Sequence, residues 1–199
     1  MIKMTRFLLV ALLVLAWLAV MTECAFAIDI TYSGKVIDAD TREPMEGAVL
    51  VIYWLKASQT VSGENTELKE VKETLTDRNG EWAIRGPKGE ENDPHPHLSF
   101  FLGLSYVREP SFIVFKPGYC SWPEGFSIEP CEGRLKPAGT GEIMEGKAIE
   151  LPKLIKGEDR LRALRPGPVG GEGALEKQRE YIKLLNEERR NLGLPEHKY

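Results

Sequence analysis

Apolar and polar residues alternate in short bursts along most of the chain. Ile28, Ile30, Tyr32, Gly34 and Val36 alternate with polar neighbours, the period of a half-buried strand. Residues 38–44, DADTREP, end that strand with turn formers. Residues 48–55, AVLVIYWL, are apolar on both faces and rich in β-branched and aromatic side chains, as expected of a central sandwich strand. Residues 56–67 are largely polar and predict a loop. Alternation returns over 68–76, with Val71 and Leu75 on one side, and 81–84 predict a further short strand. Residues 86–96, GPKGEENDPHP, have loop composition. Residues 98–107, LSFFLGLSYV, alternate again and predict a strand that is either core or an exposed apolar patch. Residues 112–115, FIVF, and 148–151, AIEL, predict the last two strands. Short strands separated by turn signals make a mainly β fold, a β-sandwich.

The pattern changes after Pro152. Residues 158–165 predict one or two helical turns, and 165–173, RPGPVGGEG, a flexible break. Residues 174–191, ALEKQREYIKLLNEERRN, have helical period. Leu175, Ile182, Leu185 and Leu192 form a stripe that Tyr181 and Leu184 widen, and Gly193 is placed to end the helix. Such a stripe packs on its own domain or meets a partner. The chain therefore divides into an N-terminal segment 1–27, a sandwich over 28–155, and a C-terminal linker and amphipathic helix over 156–199.

The first segment is a signal peptide by its layout. Lys3 and Arg6 precede an unbroken apolar run from Phe7 to Met21, and Ala25-Phe26-Ala27 is an A-x-A cleavage site. The run is shorter than the roughly 20 residues that span a bilayer. Cys24 follows Glu23 rather than the small residue a lipidation site needs. The expected location is periplasmic, extracellular or at the cell surface. Net charge is −4, so nothing in the composition favours nucleic acid. Cleavage leaves two cysteines, Cys120 and Cys131. In an exported chain they predict a disulfide closing the loop CSWPEGFSIEPC.

Within TLTDRNGEWAI, residues 74–84, the centre Asp77-Arg78-Asn79-Gly80 sets oxygen side chains around a glycine. A calcium loop needs further ligands after that glycine, ending in a glutamate on a helix. Here strand residues follow, so the stretch predicts a hairpin turn. Together with SGKVIDADTREPMEGAVLVIYW and FIVFKPGY, it resembles the carboxypeptidase regulatory-like domains. The resemblance rests on Gly34, Val36, Asp38, Pro44, Gly47, Ala48, Val49, Thr76, Asp77, Gly80, Trp82, Pro117, Gly118 and Tyr119. It implies a seven-stranded, prealbumin-like (transthyretin-like) Greek-key sandwich that serves as an accessory module, with no catalytic residues. The 24 residues from 87 to 110 depart from the family's short passage at that point.

Candidate chemistry is sparse. His95-Pro96-His97 puts two imidazoles on one side of an extended chain, where both can reach one metal. The order TDRNGEW, GP, HPH resembles the intradiol dioxygenases, which bind ferric iron through such a pair and two tyrosines; Tyr53 or Tyr32 would have to supply one of these. The prolines also suit a solvated surface loop. No nucleophilic triad and no glycine-rich phosphate loop is present. Trp54, Trp82 or Trp122 is a possible stacking platform for sugars, with Trp82 expected in the core and Trp122 exposed. The resulting expectation is a non-enzymatic exported module, without cofactor, that binds a protein or polysaccharide. A metal-dependent enzyme and a carbohydrate-binding module are the alternatives.

Overall fold

The computed structural model describes residues 30–60, 63–86, 105–123 and 128–199. The predicted signal segment, His95 and His97, and most of residues 98–107 lie outside the described residues. Among those described, seven strands form two sheets. In the first, β1 (Thr31–Asp38) lies between β4 (Glu81–Arg85), antiparallel to it, and β7 (Ile149–Leu151), parallel to it. In the second, β2 (Val49–Thr60) is central. It pairs antiparallel with β3 (Gly63–Leu75) on one side and with β5 (Tyr106–Val107) and β6 (Ser111–Phe115) on the other. The fold is mainly β, a sandwich carrying a C-terminal helical segment.

Side-chain alternation places the core. Leu50, Ile52 and Trp54 of one β2 face, with Ala48 just before the strand, join Val36, Trp82, Phe112, Val114, Ile149 and Leu151 between the sheets. The opposite face, Val49, Val51 and half-buried Tyr53, joins Val71, Ile113 and Phe115 in a second cluster. Both faces of β2 are thus covered, which explains its unbroken apolar run.

The predicted loop over 56–67 is corrected. β2 continues to Thr60 and β3 begins at Gly63, in continuous register from Lys56↔Glu67 to Thr60↔Gly63. Ladder hydrogen bonds hold this ribbon although Gly63 to Glu67 are exposed, so no side-chain alternation marks it. Tyr106 Oη donates to Glu64 at 2.9 Å, and Arg108 pairs with the same carboxylate. Leu75, expected beside buried Val71, is 41% exposed at the end of its strand.

The DRNG turn forms as expected. Asp77 Oδ1 accepts the amides of Asn79 at 2.9 Å and Glu81 at 2.8 Å. Gly80 has φ +73°, and a Cβ there would lie 2.3 Å from the Val36 carbonyl oxygen. That contact cannot relax, because the Val36 amide donates to Gly80 O at 2.8 Å and holds the two backbones together. Gly80→Ala is expected to destabilise the fold by more than about 1 kcal/mol through both the clash and the left-handed backbone. A urea melt checks this, and a midpoint equal to the parent's would contradict it.

Among the described residues, four short helical pieces follow the strands or bridge them. They are α1 (Thr140–Met144), α2 (Gly157–Arg162), α3 (Glu172–Leu175) with a 3₁₀ turn over Glu176–Gln178, and α4 (Arg179–Asn191). α4 lies on the outer face of the second sheet. Tyr181 and Leu185 are fully buried against Val49, Val51, Ile113 and Phe115, and the Phe115 and Tyr181 rings meet edge to face at 5.8 Å. The inward face centres on Gln178, Tyr181, Leu185 and Glu188, so Ile182 and Leu192 are only half-buried. Of the two predicted roles for the stripe, packing on its own sheet is the one observed.

Polar contacts lock this layer. The Glu73 carboxylate of β3 accepts the amides of Glu180 at 2.9 Å and Tyr181 at 3.0 Å, capping the helix from another element. Arg160 of α2 makes two 2.7 Å bonds to Glu188, whose side chain is 2% exposed. At the other end, Gly193 N–H donates to Arg190 O and Leu194 N–H to Arg189 O, closing a Schellman motif on the predicted glycine. The predicted flexible break is also corrected. Gln178 binds both backbone groups of Val169, at 2.9 and 2.7 Å, and Tyr181 Oη donates to Pro166 O. Side chains ten or so residues downstream satisfy this backbone, which composition alone does not reveal.

Candidate binding cleft

The polar residues that carry the family resemblance serve as fasteners. Asp38 Oδ1 accepts the amides of Asp40 at 2.8 Å and Thr41 at 2.9 Å, and Oδ2 accepts Tyr119 Oη at 3.0 Å. Thr76 Oγ1 donates to Met45 O at 2.5 Å and accepts the Ala48 amide at 2.8 Å. Burial pushes the Asp38 carboxyl up, but the Thr41 and Asp40 amides and the Tyr119 hydroxyl outweigh it and hold it below the ordinary aspartate value. A depressed carboxylate contributes stability above its unfolded pKa, about 4, and loses it as pH falls through the folded value. Stability is therefore expected to drop below about pH 4, and less steeply in Asp38→Asn. Urea melts between pH 5 and pH 2 measure this; parallel acid limbs would count against it.

The disulfide forms between Cys120 and Cys131, with Cα atoms 6.0 Å apart. It is buried with Ile128, Leu154 and Ala163, the last of these at the end of α2. Closing a loop of this length contributes about 3 kcal/mol in the chain-entropy model. Trp122, expected to be exposed, is 6% exposed, because its Nε1 donates to Pro137 O at 2.8 Å inside the first cluster. Trp54 and Trp82 are also buried there. None of the three offers a stacking surface. Tyr32 packs between the sheets beside Trp54 and Phe112, whereas Tyr53 lies on the far side of the second sheet. No group of three or more His, Cys, Asp or Glu side chains among the described residues is placed to hold a metal. No helix among them is long and apolar enough to cross a membrane.

A cleft of about 510 Å³ opens between α2, the chain just after it, and the end of α4 with the tail beyond. Arg162, Arg165 and Arg189 line it, with Leu161, Leu164, His197 and Tyr199. Each arginine is placed by a different device. Arg162 ends α2, which is seated by Ala163 on the disulfide cluster. Ser121 Oγ, next to Cys120, donates to Arg165 O at 2.6 Å. Arg189 sits in the last turn of α4, and its Nε donates to Pro195 O at 2.7 Å. The tail returns along the helix because Asn186 exchanges two hydrogen bonds with the His197 backbone, at 3.1 and 2.8 Å, and Glu196 pairs with Arg190. His197 and Tyr199 stack at 4.5 Å. Burial pushes the Tyr199 hydroxyl up, and the nearby Arg189 only partly offsets this, so the group remains an O–H donor at neutral pH.

Sequence reading missed this cleft because its arginines are separated by up to 27 positions and carry no motif. The only sequence signal is the basic end of the helix next to a tail containing His197 and Tyr199. Compared with known proteins, the chain matches no family model and no curated protein.

Proposed function

We propose that the protein is an exported, non-enzymatic β-sandwich module of the carboxypeptidase regulatory-like kind. It binds or assembles with a partner in the periplasm or at the cell surface. The observation that carries this reading is the employment of Asp38, Thr76, Asp77 and Tyr119 in turn and layer contacts. The N-terminal layout of Lys3, Arg6, the apolar run and Ala25-Phe26-Ala27 supports export. The Cys120–Cys131 bridge suits an oxidising compartment.

Cell fractionation with N-terminal sequencing tests export, and elemental analysis of the purified protein tests the enzymatic alternative at His95 and His97. The expected results are an exported chain beginning at Ile28 and no stoichiometric iron, zinc or copper. A cytoplasmic chain retaining Met1, or one tightly held iron per chain, would overturn the reading.

A further inference from the structure

We propose that the cleft between α2 and the C-terminal tail binds a small organic anion through one carboxylate or phosphate group, with the ligand's apolar body against its leucine and aromatic walls. This names a ligand class for the binding module proposed above and rests on that reading. Arg162, Arg165 and Arg189 line the cleft, and no Asp or Glu does among the described residues. They lie in a chain of net charge −4, so the concentration of positive charge is local rather than a property of the whole surface. Guanidinium forks match the planar, two-oxygen geometry of carboxylate and phosphate. The volume is in the range of small-molecule sites, roughly 300–1,000 Å³. The remaining walls are not those of a bare anion site. Leu161 is 49% exposed, Leu164 is half-buried, and the stacked His197–Tyr199 pair supplies ring surface with a hydroxyl donor. A ligand with both an oxyanion and an apolar part satisfies both halves, whereas a fully hydrated inorganic ion covers only the arginines.

The construction around the site has the rigidity a binding site needs. The disulfide cluster, the Ser121–Arg165 bond, the Arg189–Pro195 bond and the Asn186–His197 pair each fix one wall. A preformed cleft lowers the ordering cost of binding.

The test is a titration of the purified protein with phenyl phosphate, inorganic phosphate and benzyl alcohol, followed by NMR of backbone and arginine Nε–H signals. Phenyl phosphate is expected to bind saturably and shift the Arg162, Arg165 and Arg189 signals. Inorganic phosphate should bind more weakly, and benzyl alcohol should leave the arginine signals in place. Joint Arg162→Gln and Arg165→Gln substitution should weaken phenyl phosphate at least roughly tenfold, as loss of charge-assisted bonds predicts. Arg162→Gln alone, on an exposed helix end, should weaken it about threefold with the melting temperature unchanged. No saturation, equal shifts with benzyl alcohol, or full affinity in Arg162→Gln would each overturn the proposal. Such a failure removes the anion and leaves the module reading to its own test by fractionation and metal content.

Discussion

Chains ending at Arg165 are expected to lose the cooperative native state rather than shed an appendage. Removal of residues 166–199 would bare Val49, Val51, Val71, Ile113 and Phe115, each of which is now no more than 2% exposed. Uncovering a side chain of this size costs about 1.5–3 kcal/mol, an upper value because the unfolded chain is itself partly compact. Five of them approach the whole stability of an ordinary domain, about 5–15 kcal/mol. The truncated protein should lack a sigmoidal thermal transition in near-ultraviolet circular dichroism and should bind a hydrophobic dye. Leu185→Ala gives the same result in smaller measure, a loss of about 2–5 kcal/mol in urea. A truncated chain that melts at the parent's temperature would show that α4 contributes nothing to the core.

The second large effect is an asymmetry across the Arg160–Glu188 pair. The two side chains are 24% and 2% exposed. Arg160→Ala strands a buried carboxylate and is expected to cost about 3–5 kcal/mol. Glu188→Ala leaves a guanidinium that is already partly in water, and should cost less, on the order of 1–2 kcal/mol. Equal losses would place the energy in packing rather than in the uncompensated charge. Replacing both by leucine should recover much of the loss, since apolar isosteres of buried pairs are often neutral.

Much of the sandwich was readable from periodicity and turn chemistry. The strand residues after Gly80 mark DRNG as a turn, and the structure adds the reason only glycine fits: the Val36 carbonyl occupies the space of a side chain. The disulfide followed from the two cysteines, Cys120 and Cys131, that lie beyond the expected signal segment. The third layer was half-visible. Val49, Val51 and Tyr53 are apolar on the face turned away from the other sheet, which demands a cover, and the Leu175–Leu192 stripe was the available one. Rotation of the helix hid the match. Its buried face includes Gln178 and Glu188, polar residues whose partners, Val169 and Arg160, are distant enough that no local spacing reveals them. The ribbon over residues 56–67 was missed for the opposite reason: Gly63 to Glu67 are all exposed, so that strand is held by the backbone ladder and shows no side-chain alternation. The cleft was illegible because it exists only once α2, the disulfide loop and the returning tail are assembled.

Nuclear Overhauser contacts between the Tyr181 ring and the Phe115 ring, and between Leu185 methyls and those of Val49 and Val51, address the helix seating directly. Their presence, with α4 tumbling as slowly as the strands, is the predicted result. An α4 that shows no such contacts and reorients independently on the nanosecond scale would contradict the three-layer arrangement and the cleft built on it.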